Sequence, residues 1–193
     1  MISENKKTVA VLGATGSVGR QALDVARRRG YRVDFIAAGK SVPETERLCR
    51  EFGVRYAALA DPVAASDLRT RLSDTDIKVL SGDDGTEEGI NLTSAGTVVN
   101  AILGEAGLRP TLATIAAGRR LALANKESLV IAGDIVMSRV RETGVELIPV
   151  DSEHSAIFRS LSGHSHREVR RLILTASGGP FFGRTREELK SVT

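Results

Sequence analysis

Residues 8–19, Thr-Val-Ala-Val-Leu-Gly-Ala-Thr-Gly-Ser-Val-Gly, decide how this chain folds. The first five residues are apolar or β-branched and stop at Gly13, which is typical of a short buried strand. From Ser17 to Gly30 the apolar residues recur at helical spacing, so a helix is expected there. A strand, a glycine-rich loop and a helix in this order are typical of a dinucleotide-binding crossover.

The three glycines of this loop have separate expected roles. Gly13 permits a tight turn, Gly16 lets the backbone approach a pyrophosphate, and Gly19 lets the helix pack closely on the sheet. The N-terminus of the helix then offers unpaired N–H groups to the phosphates, and Thr15 and Ser17 can add hydroxyl donors. The alternative is a glycine turn that only joins a strand to a helix.

The rest of the first 150 residues alternates between strand and helix patterns. Strands are expected at residues 32–38, 55–60, 77–80, 97–101, 121–124 and 146–150, and helices at 43–52, from 61, at 108–117 and at 126–142. This alternation predicts a doubly wound, mostly parallel α/β sheet with helices on both faces. After residue 150 a helical piece, a strand-like run at 171–175 and a glycine turn follow. We therefore expect one domain at residues 1–150 and the beginning of an α+β domain at 151–193.

Charge and composition exclude several function classes. The formal net charge is only +3, and aromatic residues make up 4% of the chain, so nucleic-acid binding is not expected. A mild positive charge would suit a phosphorylated substrate. Cys49 is the only cysteine, which excludes an internal disulfide. Because there is no apolar signal region and no run near the roughly 20 apolar residues of a membrane span, we expect a cytoplasmic protein.

The end of the second strand indicates which dinucleotide would bind. A site for NAD usually places Asp or Glu there to hold the ribose 2′-hydroxyl. Here the sequence runs Ala-Ala-Gly-Lys-Ser at residues 37–41, without a carboxylate. Lys40 supplies charge and Ser41 a hydrogen bond for a 2′-phosphate, which favours NADP. The alternative for Lys40 is an exposed loop lysine.

A second group of polar residues follows the strand at 121–124. Asn125 can cap the next helix, which is its structural alternative to a binding role. Lys126 is unfavourable near the positive end of a helix dipole, and this placement suggests contact with an anionic substrate. Glu127 in the first turn is a routine partner of the dipole and by itself indicates little.

A third group, Asp151-Ser152-Glu153, follows the strand at 146–150. Carboxylates at i and i+2 point the same way if the backbone is still extended, and such oxygen ligands suit Mg²⁺ or Mn²⁺. The alternative is a helix start, with Asp151 as the cap and Glu153 in the first turn. Ser177, in a glycine turn, could donate to a phosphate or to a substrate hydroxyl, or could belong to a plain turn.

These segments together resemble one enzyme family. They are residues 13–19 (GATGSVG), 38–40 (AGK), 99–104 (VNAILG), 123–130 (LANKESLV), 149–158 (PVDSEHSAIF) and 174–181 (LTASGGPF). In this order they resemble the 1-deoxy-D-xylulose 5-phosphate reductoisomerases of the non-mevalonate isoprenoid route. The blocks at 125–128 and 151–154 are the most specific, and they favour a metal role for Asp151 and Glu153 over helix capping.

The resemblance implies a Rossmann-like NADP-binding domain and an NADPH-dependent reaction. The substrate 1-deoxy-D-xylulose 5-phosphate would rearrange to an aldehyde and be reduced to 2-C-methyl-D-erythritol 4-phosphate. The positions that match the family's cofactor site are Thr15, Gly16, Ser17, Val18, Gly39, Lys40, Ser41, Asn125 and Glu127. The protein would place the nicotinamide against the intermediate.

The resemblance also implies a divalent metal, Mn²⁺, Mg²⁺ or Co²⁺, held by Asp151 and Glu153 as a Lewis acid. Lys126, Asp151 and Glu153 would be catalytic. Substrate contacts would come from Lys126, Ser152, Glu153 and Ser177. A homodimer is expected of the complete enzyme.

The sequence departs from the family in two respects. Ser155 stands where Asn is frequent, and the family continues beyond residue 193 with a mobile loop, a third metal carboxylate and a helical domain. We therefore expect this chain to be a shortened form with weak or no catalysis. Two alternatives remain: an NADPH-binding module without catalysis, and an enzyme like the semialdehyde dehydrogenases, for which Cys49 would have to be the catalytic thiol.

Overall fold

The computed structural model describes residues 7–173 and 179–192. Contacts among the described residues divide the chain into two compact units, the first ending at Val150 and the second beginning at Asp151. The first unit holds every strand of the described part of the chain. The second unit contains one helix of 10 residues and short turns.

The first unit is built on a parallel sheet of seven strands. They are β1 (Thr8–Leu12), β2 (Arg32–Ala38), β3 (Tyr56–Leu59), β4 (Lys78–Ser81), β5 (Thr97–Asn100), β6 (Arg120–Leu123) and β7 (Leu147–Pro149). The strand order is β4-β3-β2-β1-β5-β6-β7, and all six neighbouring pairs are parallel. This confirms the predicted parallel α/β fold. The order reverses at β1, and such a switch point is where open α/β sheets bind ligands.

Six helices of the first unit cover the sheet. They are α1 (Ser17–Arg29), α2 (Val42–Phe52), α3 (Pro62–Arg71), α4 (Gly82–Leu92), α5 (Leu108–Ala116) and α6 (Glu127–Thr143). Leu23, Leu48 and Leu68 place α1, α2 and α3 in one buried cluster with Val9 and Val11. Helices α4 and α5 contribute to a separate cluster around Leu12 and Phe35, and α5 and α6 share a third cluster. Parallel sheets generally have both faces covered by helices. These clusters cover the faces of this sheet.

Helix α4 is absent from the sequence prediction, because its sequence is poor in helix-forming residues. It contains three glycines: Gly82 is the first residue, with a φ of +74°, and Gly85 and Gly89 each cost about 1 kcal/mol relative to alanine in a helix interior. Packing supplies the explanation: a Cβ on Gly89 would lie 2.3 Å from the Phe35 ring, so only glycine lets α4 approach the sheet this closely. Asp83 and Asp84 in the first turn are favourable for the helix dipole.

The second unit begins with α7 (Ser152–Leu161) and continues with short helical turns at His166–Glu168 and Gly179–Phe181. Residues 171–173 of the predicted strand-like run lie outside any strand, and residues 174–175 lie outside the described residues. Over the described ranges, no helix is both long and apolar enough to cross a bilayer.

Strand β2 carries one buried carboxylate. The pairing of β1 with β2 shifts by one residue between Val9 and Ala10, and Asp34 is the residue of β2 that this shift leaves without a partner on β1. Its carboxylate is fully buried and accepts hydrogen bonds from Arg32 and Arg55 (2.6 Å each), Thr93 Oγ1 (2.7 Å) and the Ser94 N–H (2.8 Å). Burial alone would raise the pKa of Asp34, but these donors hold it well below its ordinary value.

We expect Asp34→Asn to lower the free energy of unfolding at neutral pH by about 2 kcal/mol, because Arg32 and Arg55 lose their charged partner. The loss is limited because both arginines are half-exposed and regain contact with solvent. The pKa of Asp34 is lower in the folded than in the unfolded chain. Its stabilisation is therefore complete above the ordinary value of 3.8 and is lost as the pH falls below it. Urea unfolding between about pH 5 and about pH 3 should show a weaker pH dependence for Asp34→Asn than for the unsubstituted chain.

Asp74→Asn is a suitable control, because Asp74 is an exposed carboxylate that pairs with one arginine, Arg50. If Asp34→Asn and Asp74→Asn have the same free energy of unfolding and the same pH dependence, the stabilising role given to the buried Asp34 carboxylate is wrong.

Candidate functional site

A cleft of about 280 Å³ lies at the carboxyl edge of the sheet, where the strand order reverses. It is lined by Gly13, Thr15, Gly16, Ala37, Ala38, Gly39, Ala60, Asp83, Thr86, Ala101, Ile102, Leu103, Ala106, Arg109 and Pro110. All of these residues belong to the first unit. Three of the predicted cofactor residues, Thr15, Gly16 and Gly39, are among them.

The loop after β1 is wedged between the neighbouring strands. The N–H groups of Gly13 and Ala14 both donate to the carbonyl oxygen of Ala37 at 2.9 Å, which ties the loop to β2. Gly13 has a φ of +76°, and a Cβ there would lie 2.5 Å from the Ala101 carbonyl oxygen beyond β5. Any other residue at this position would be strained and would push the two strand ends apart.

The N-terminus of α1 follows directly and is open to a ligand. Gly16 is the N-cap, so no side chain caps the helix, and its first turn contains no acidic residue. Gly16, Ser17 and Val18 are exposed. A Cβ on Gly19 would lie 2.1 Å from the Gly13 carbonyl oxygen, so glycine lets the helix start close to the loop. The free N–H groups of such a helix end attract phosphate.

The end of β2 forms the next part of the site. Gly39 lines the cleft, and Lys40 and Ser41 follow it as exposed residues. Ser41 is the N-cap of α2 without a side-chain capping bond, which leaves its hydroxyl available. Among the described residues, Lys40 forms no ion pair. The ammonium of Lys40 and the hydroxyl of Ser41 are therefore exposed beside the cleft, at the strand end where a site for NAD usually has a carboxylate.

Two buried asparagines hold the loop between β5 and α5. The amide of Asn125 donates to the carbonyl oxygens of Ile102 (2.7 Å) and Gly104 (2.8 Å), and its oxygen accepts from the N–H (2.8 Å) and the hydroxyl of Ser128. All of its hydrogen-bonding capacity is thus used within the protein. Asn125 binds the first turn of α6 through the Ser128 N–H and fixes the loop that lines the cleft.

Asn100 at the end of β5 supports the same loop from the other side. Its amide donates to the Gly107 carbonyl oxygen and to Thr111 Oγ1, both at 2.9 Å. A Cβ on Gly107 would lie 2.6 Å from the amide of Asn125, so the turn packs directly on that side chain. Asn100 and Gly107 were not predicted as site residues, because their roles arise from contacts between loops.

Lys126 and Glu127 follow β6 at the same edge of the sheet. Lys126 is the exposed N-cap of α6, and Glu127 is the half-buried first residue of that helix. Neither residue lines the cleft. Helix α6 is interrupted at Ala132, whose φ of −141° and ψ of 33° are not helical.

Asp151, Ser152 and Glu153 form a helix start, which the sequence left open as the alternative to an extended backbone. Helix α7 begins at Ser152, and Asp151 is its N-cap, with its carboxylate 3.5 Å from the His154 N–H. The backbone is not extended here, so the condition under which the two carboxylates would point the same way is not met. Across residues 7–173 and 179–192, no three His, Cys, Asp or Glu side chains are grouped to hold a metal. Ser177 lies outside the described residues.

Cys49 is unsuited to act as a nucleophile. It lies fully buried in the cluster beneath α1–α3 and does not line the cleft. Burial raises the pKa of its thiol to about 12, so the reactive thiolate does not form near neutral pH. This argues against the semialdehyde-dehydrogenase alternative.

Arg109 and Asp83 are cleft residues that the sequence did not indicate. Arg109 stands in the first turn of α5, and Asp83 stands in the first turn of α4, which was not predicted. Arg109 contacts two acidic residues of α4, with 2.8 Å from Nη2 to Asp84 and 2.6 Å from Nε to Glu87. The only sequence signal for this wall was the block at residues 99–104.

Comparison with known proteins gives one consistent result. Residues 9–133 match the family described as 1-deoxy-D-xylulose 5-phosphate reductoisomerase, and residues 147–193 match the C-terminal domain of that enzyme. The reductoisomerase of Acetivibrio thermocellus is 50% identical over 185 residues, and that of Agathobacter rectalis is 46% identical over 187. Each alignment covers 96% of this chain and 49% of the relative, so the chain spans about half the length of these relatives.

Solved structures agree with this result. The reductoisomerase of Zymomonas mobilis, in complex with NADPH, has a TM-score of 0.85 and 42% identity, over 96% of this chain and 50% of that one. A reductoisomerase in complex with NADPH, fosmidomycin and magnesium has a TM-score of 0.82 and 35% identity, over 96% and 49%. A probable dehydrogenase of Thermotoga maritima, at 14% identity and a TM-score of 0.53, shares the fold alone.

We expect Asn125→Ala to lower the free energy of unfolding by about 3 kcal/mol, because it leaves buried backbone groups of both loops without partners. The measurement is urea unfolding followed by circular dichroism. Asn91→Ala is the matched control, since Asn91 is exposed and accepts a hydrogen bond through its main-chain carbonyl oxygen, which alanine also has. Equal stabilities for the two variants would contradict the role given to Asn125.

Proposed function

The chain belongs to the 1-deoxy-D-xylulose 5-phosphate reductoisomerase family, and on this premise we propose that it binds NADPH along the carboxyl edge of its sheet. We further propose that it serves the reduction of 1-deoxy-D-xylulose 5-phosphate to 2-C-methyl-D-erythritol 4-phosphate. One observation carries the proposal: the cleft joins the uncapped N-terminus of α1 to a strand end that offers an exposed lysine and no carboxylate.

The pyrophosphate would lie over the N-terminus of α1. Gly16 leaves room for it there, the N–H groups of Ser17 and Val18 are oriented along the helix axis, and the hydroxyls of Thr15 and Ser17 can donate. A dinucleotide that crosses the sheet at this point places its adenosine on the β2 side and its nicotinamide on the β5 and β6 side.

The 2′-phosphate would lie beside Gly39, Lys40 and Ser41. The ammonium of Lys40 supplies the charge, the hydroxyl of Ser41 a hydrogen bond, and Gly39 a close backbone approach. A carboxylate in this place would repel the phosphate and favour NADH instead. The charges of this segment therefore support a preference for NADPH.

The nicotinamide and the substrate would lie near the ends of β5 and β6. Asn125 would act by holding residues 102–104 in place, since its own amide is fully used. Glu127 would border the cofactor, and the ammonium of Lys126 would attract the anionic substrate. NADPH supplies the hydride, and these residues hold the ring and the substrate in position.

Asp151 and Glu153 are proposed as metal ligands, with Ser152 and Ser177 as substrate contacts. Carboxylate oxygens are the correct donors for Mg²⁺ or Mn²⁺, which take about six oxygen ligands. The described residues offer two carboxylates in this segment, one of which caps α7, and no group of three. This donor set does not make a metal site by itself, and we derive no catalytic step through a metal. The homodimer expected of the family is likewise a proposal.

A second candidate function is NADPH binding without turnover. It is favoured because every residue that lines the cleft lies between residues 13 and 110 of the first unit. The residues proposed as metal ligands, by contrast, do not form a group of three among the described residues. The two candidates share the cofactor site and differ in whether the bound cofactor then transfers its hydride.

We expect Lys40→Gln to weaken NADPH binding about tenfold and to leave NADH binding unchanged, because only NADPH carries the 2′-phosphate. The measurement is a titration of reduced-nicotinamide fluorescence with both cofactors. The control is Lys78→Gln, which removes an exposed lysine that pairs with Glu88 at the first residue of β4, at the opposite edge of the sheet. A chain that prefers NADH, or an equal loss for both cofactors, would contradict the proposal.

We expect Mn²⁺ to change the dissociation constant for NADPH by less than about twofold, since every residue that lines the cleft belongs to the first unit and none is a proposed metal ligand. NADPH oxidation in the presence of 1-deoxy-D-xylulose 5-phosphate and Mn²⁺, followed by absorbance, distinguishes the two candidates. Binding without oxidation supports the binding module, and oxidation that requires both the sugar phosphate and the metal supports the reductase. Failure to bind NADPH under any of these conditions contradicts both.

A further inference from the structure

Arg109 pairs with two carboxylates at one wall of the cleft. Its Nη2 lies 2.8 Å from Asp84 Oδ1 and its Nε 2.6 Å from Glu87 Oε1, so two carboxylates of α4 hold one edge of the guanidinium. The Asp84 contact, together with Glu87, keeps the pKa of Arg109 above its ordinary value. The side chain is half-exposed, which leaves the flat faces of the guanidinium accessible to a ligand in the cleft.

This wall belongs to the adenosine end of the cleft. Arg109 itself begins α5, which follows β5, but both of its partners lie on α4. Helix α4 packs on β3, β4 and β2, on the side of β1 away from β5 and β6. A dinucleotide whose pyrophosphate lies over α1 extends its adenosine toward this side. Ala60 and Thr86 line the same region, and Ile102 and Pro110 add apolar surface.

The charges at this wall are unsuited to a phosphate. Asp83 lines the cleft, and the Asp84 and Glu87 carboxylates neutralise Arg109. A phosphate here would face three carboxylates, two of which already pair with the single cation, Arg109. The places that attract phosphate are the N-terminus of α1 and Lys40. An uncharged, flat ring is the group that fits against Arg109.

We propose that Arg109 stacks its guanidinium on the adenine ring of the bound dinucleotide and thereby fixes the adenine end of the cofactor. A guanidinium held in one plane by carboxylates is well prepared for stacking on an aromatic face. The proposal rests on the proposed NADPH binding and adds to it the group that recognises the base. It also gives α4 a role, because the acidic residues of α4 set the position of Arg109.

The test is a set of binding measurements with Arg109→Met and Arg109→Lys. NADPH, NADH and 5′-AMP are titrated directly, and uncharged adenosine is titrated as a competitor of NADPH. We expect Arg109→Met to weaken binding of all four about tenfold, because all four contain adenine. Nicotinamide mononucleotide, which lacks adenine, should bind equally to the unsubstituted chain and to Arg109→Met. Arg109→Lys should restore little, since lysine keeps the charge but has no planar face.

The matched control is Arg47→Met. Arg47 also pairs with two carboxylates, Glu44 and Glu51, but it lies on α2 outside the cleft. This variant should bind every ligand as the unsubstituted chain does. Thermal unfolding of each variant shows whether the fold is retained.

Three results would overturn the proposal. They are unchanged binding by Arg109→Met, a loss confined to ligands with a 2′-phosphate, and full restoration by Arg109→Lys. If the unsubstituted chain binds 5′-AMP but not NADPH, the proposed function fails, while the role of Arg109 is still decided by the direct titration of 5′-AMP. If the chain binds none of the ligands, both proposals fail.

Discussion

The attachment of the loop after β1 to both neighbouring strands is the constraint on which the rest of the site depends. Two N–H groups, of Gly13 and Ala14, share the Ala37 carbonyl oxygen, and Gly13 lies against Ala101 with no room for a side chain. This arrangement brings the ends of β2, β1 and β5 together at the switch point of the sheet. It also starts α1 with its free N–H groups toward the cleft, so one loop sets both the shape and the electrostatics of the site.

The cleft separates charges along its length. Its phosphate-attracting groups are the N-terminus of α1 and the exposed Lys40, whereas the charged residues that α4 contributes to the opposite wall are carboxylates. Arg109 is neutralised at that wall and serves the ligand by its shape. Two asparagines, Asn100 and Asn125, keep the loop between β5 and α5 in place without being available to a ligand themselves. Recognition and support are thus carried by different polar residues.

The alternating fold and the glycine loop could be predicted from the sequence, because they depend on local patterns of apolar residues and glycine. Helix α4 could not, since its glycines are unfavourable in isolation and become necessary only when Gly89 meets Phe35. Asn100 and Arg109 were missed because their roles depend on contacts between separate elements: Asn100 bonds to the turn before α5, and Arg109 pairs with α4. Asp83 was missed together with α4, the helix that carries it. At Asp151 the spacing left an extended backbone and a helix start open, and the structure has the helix start, with Asp151 as its N-cap.

The central claim is that a dinucleotide pyrophosphate binds at the loop between β1 and α1. The most direct measurement is a titration of the isotopically labelled chain with NADPH, followed by the amide resonances of the backbone. We expect the largest shifts at Gly16, Ser17 and Val18, while Ala64 at the N-terminus of α3 remains unchanged. NADPH binding that leaves the resonances of Gly16 and Ser17 in place would contradict this claim.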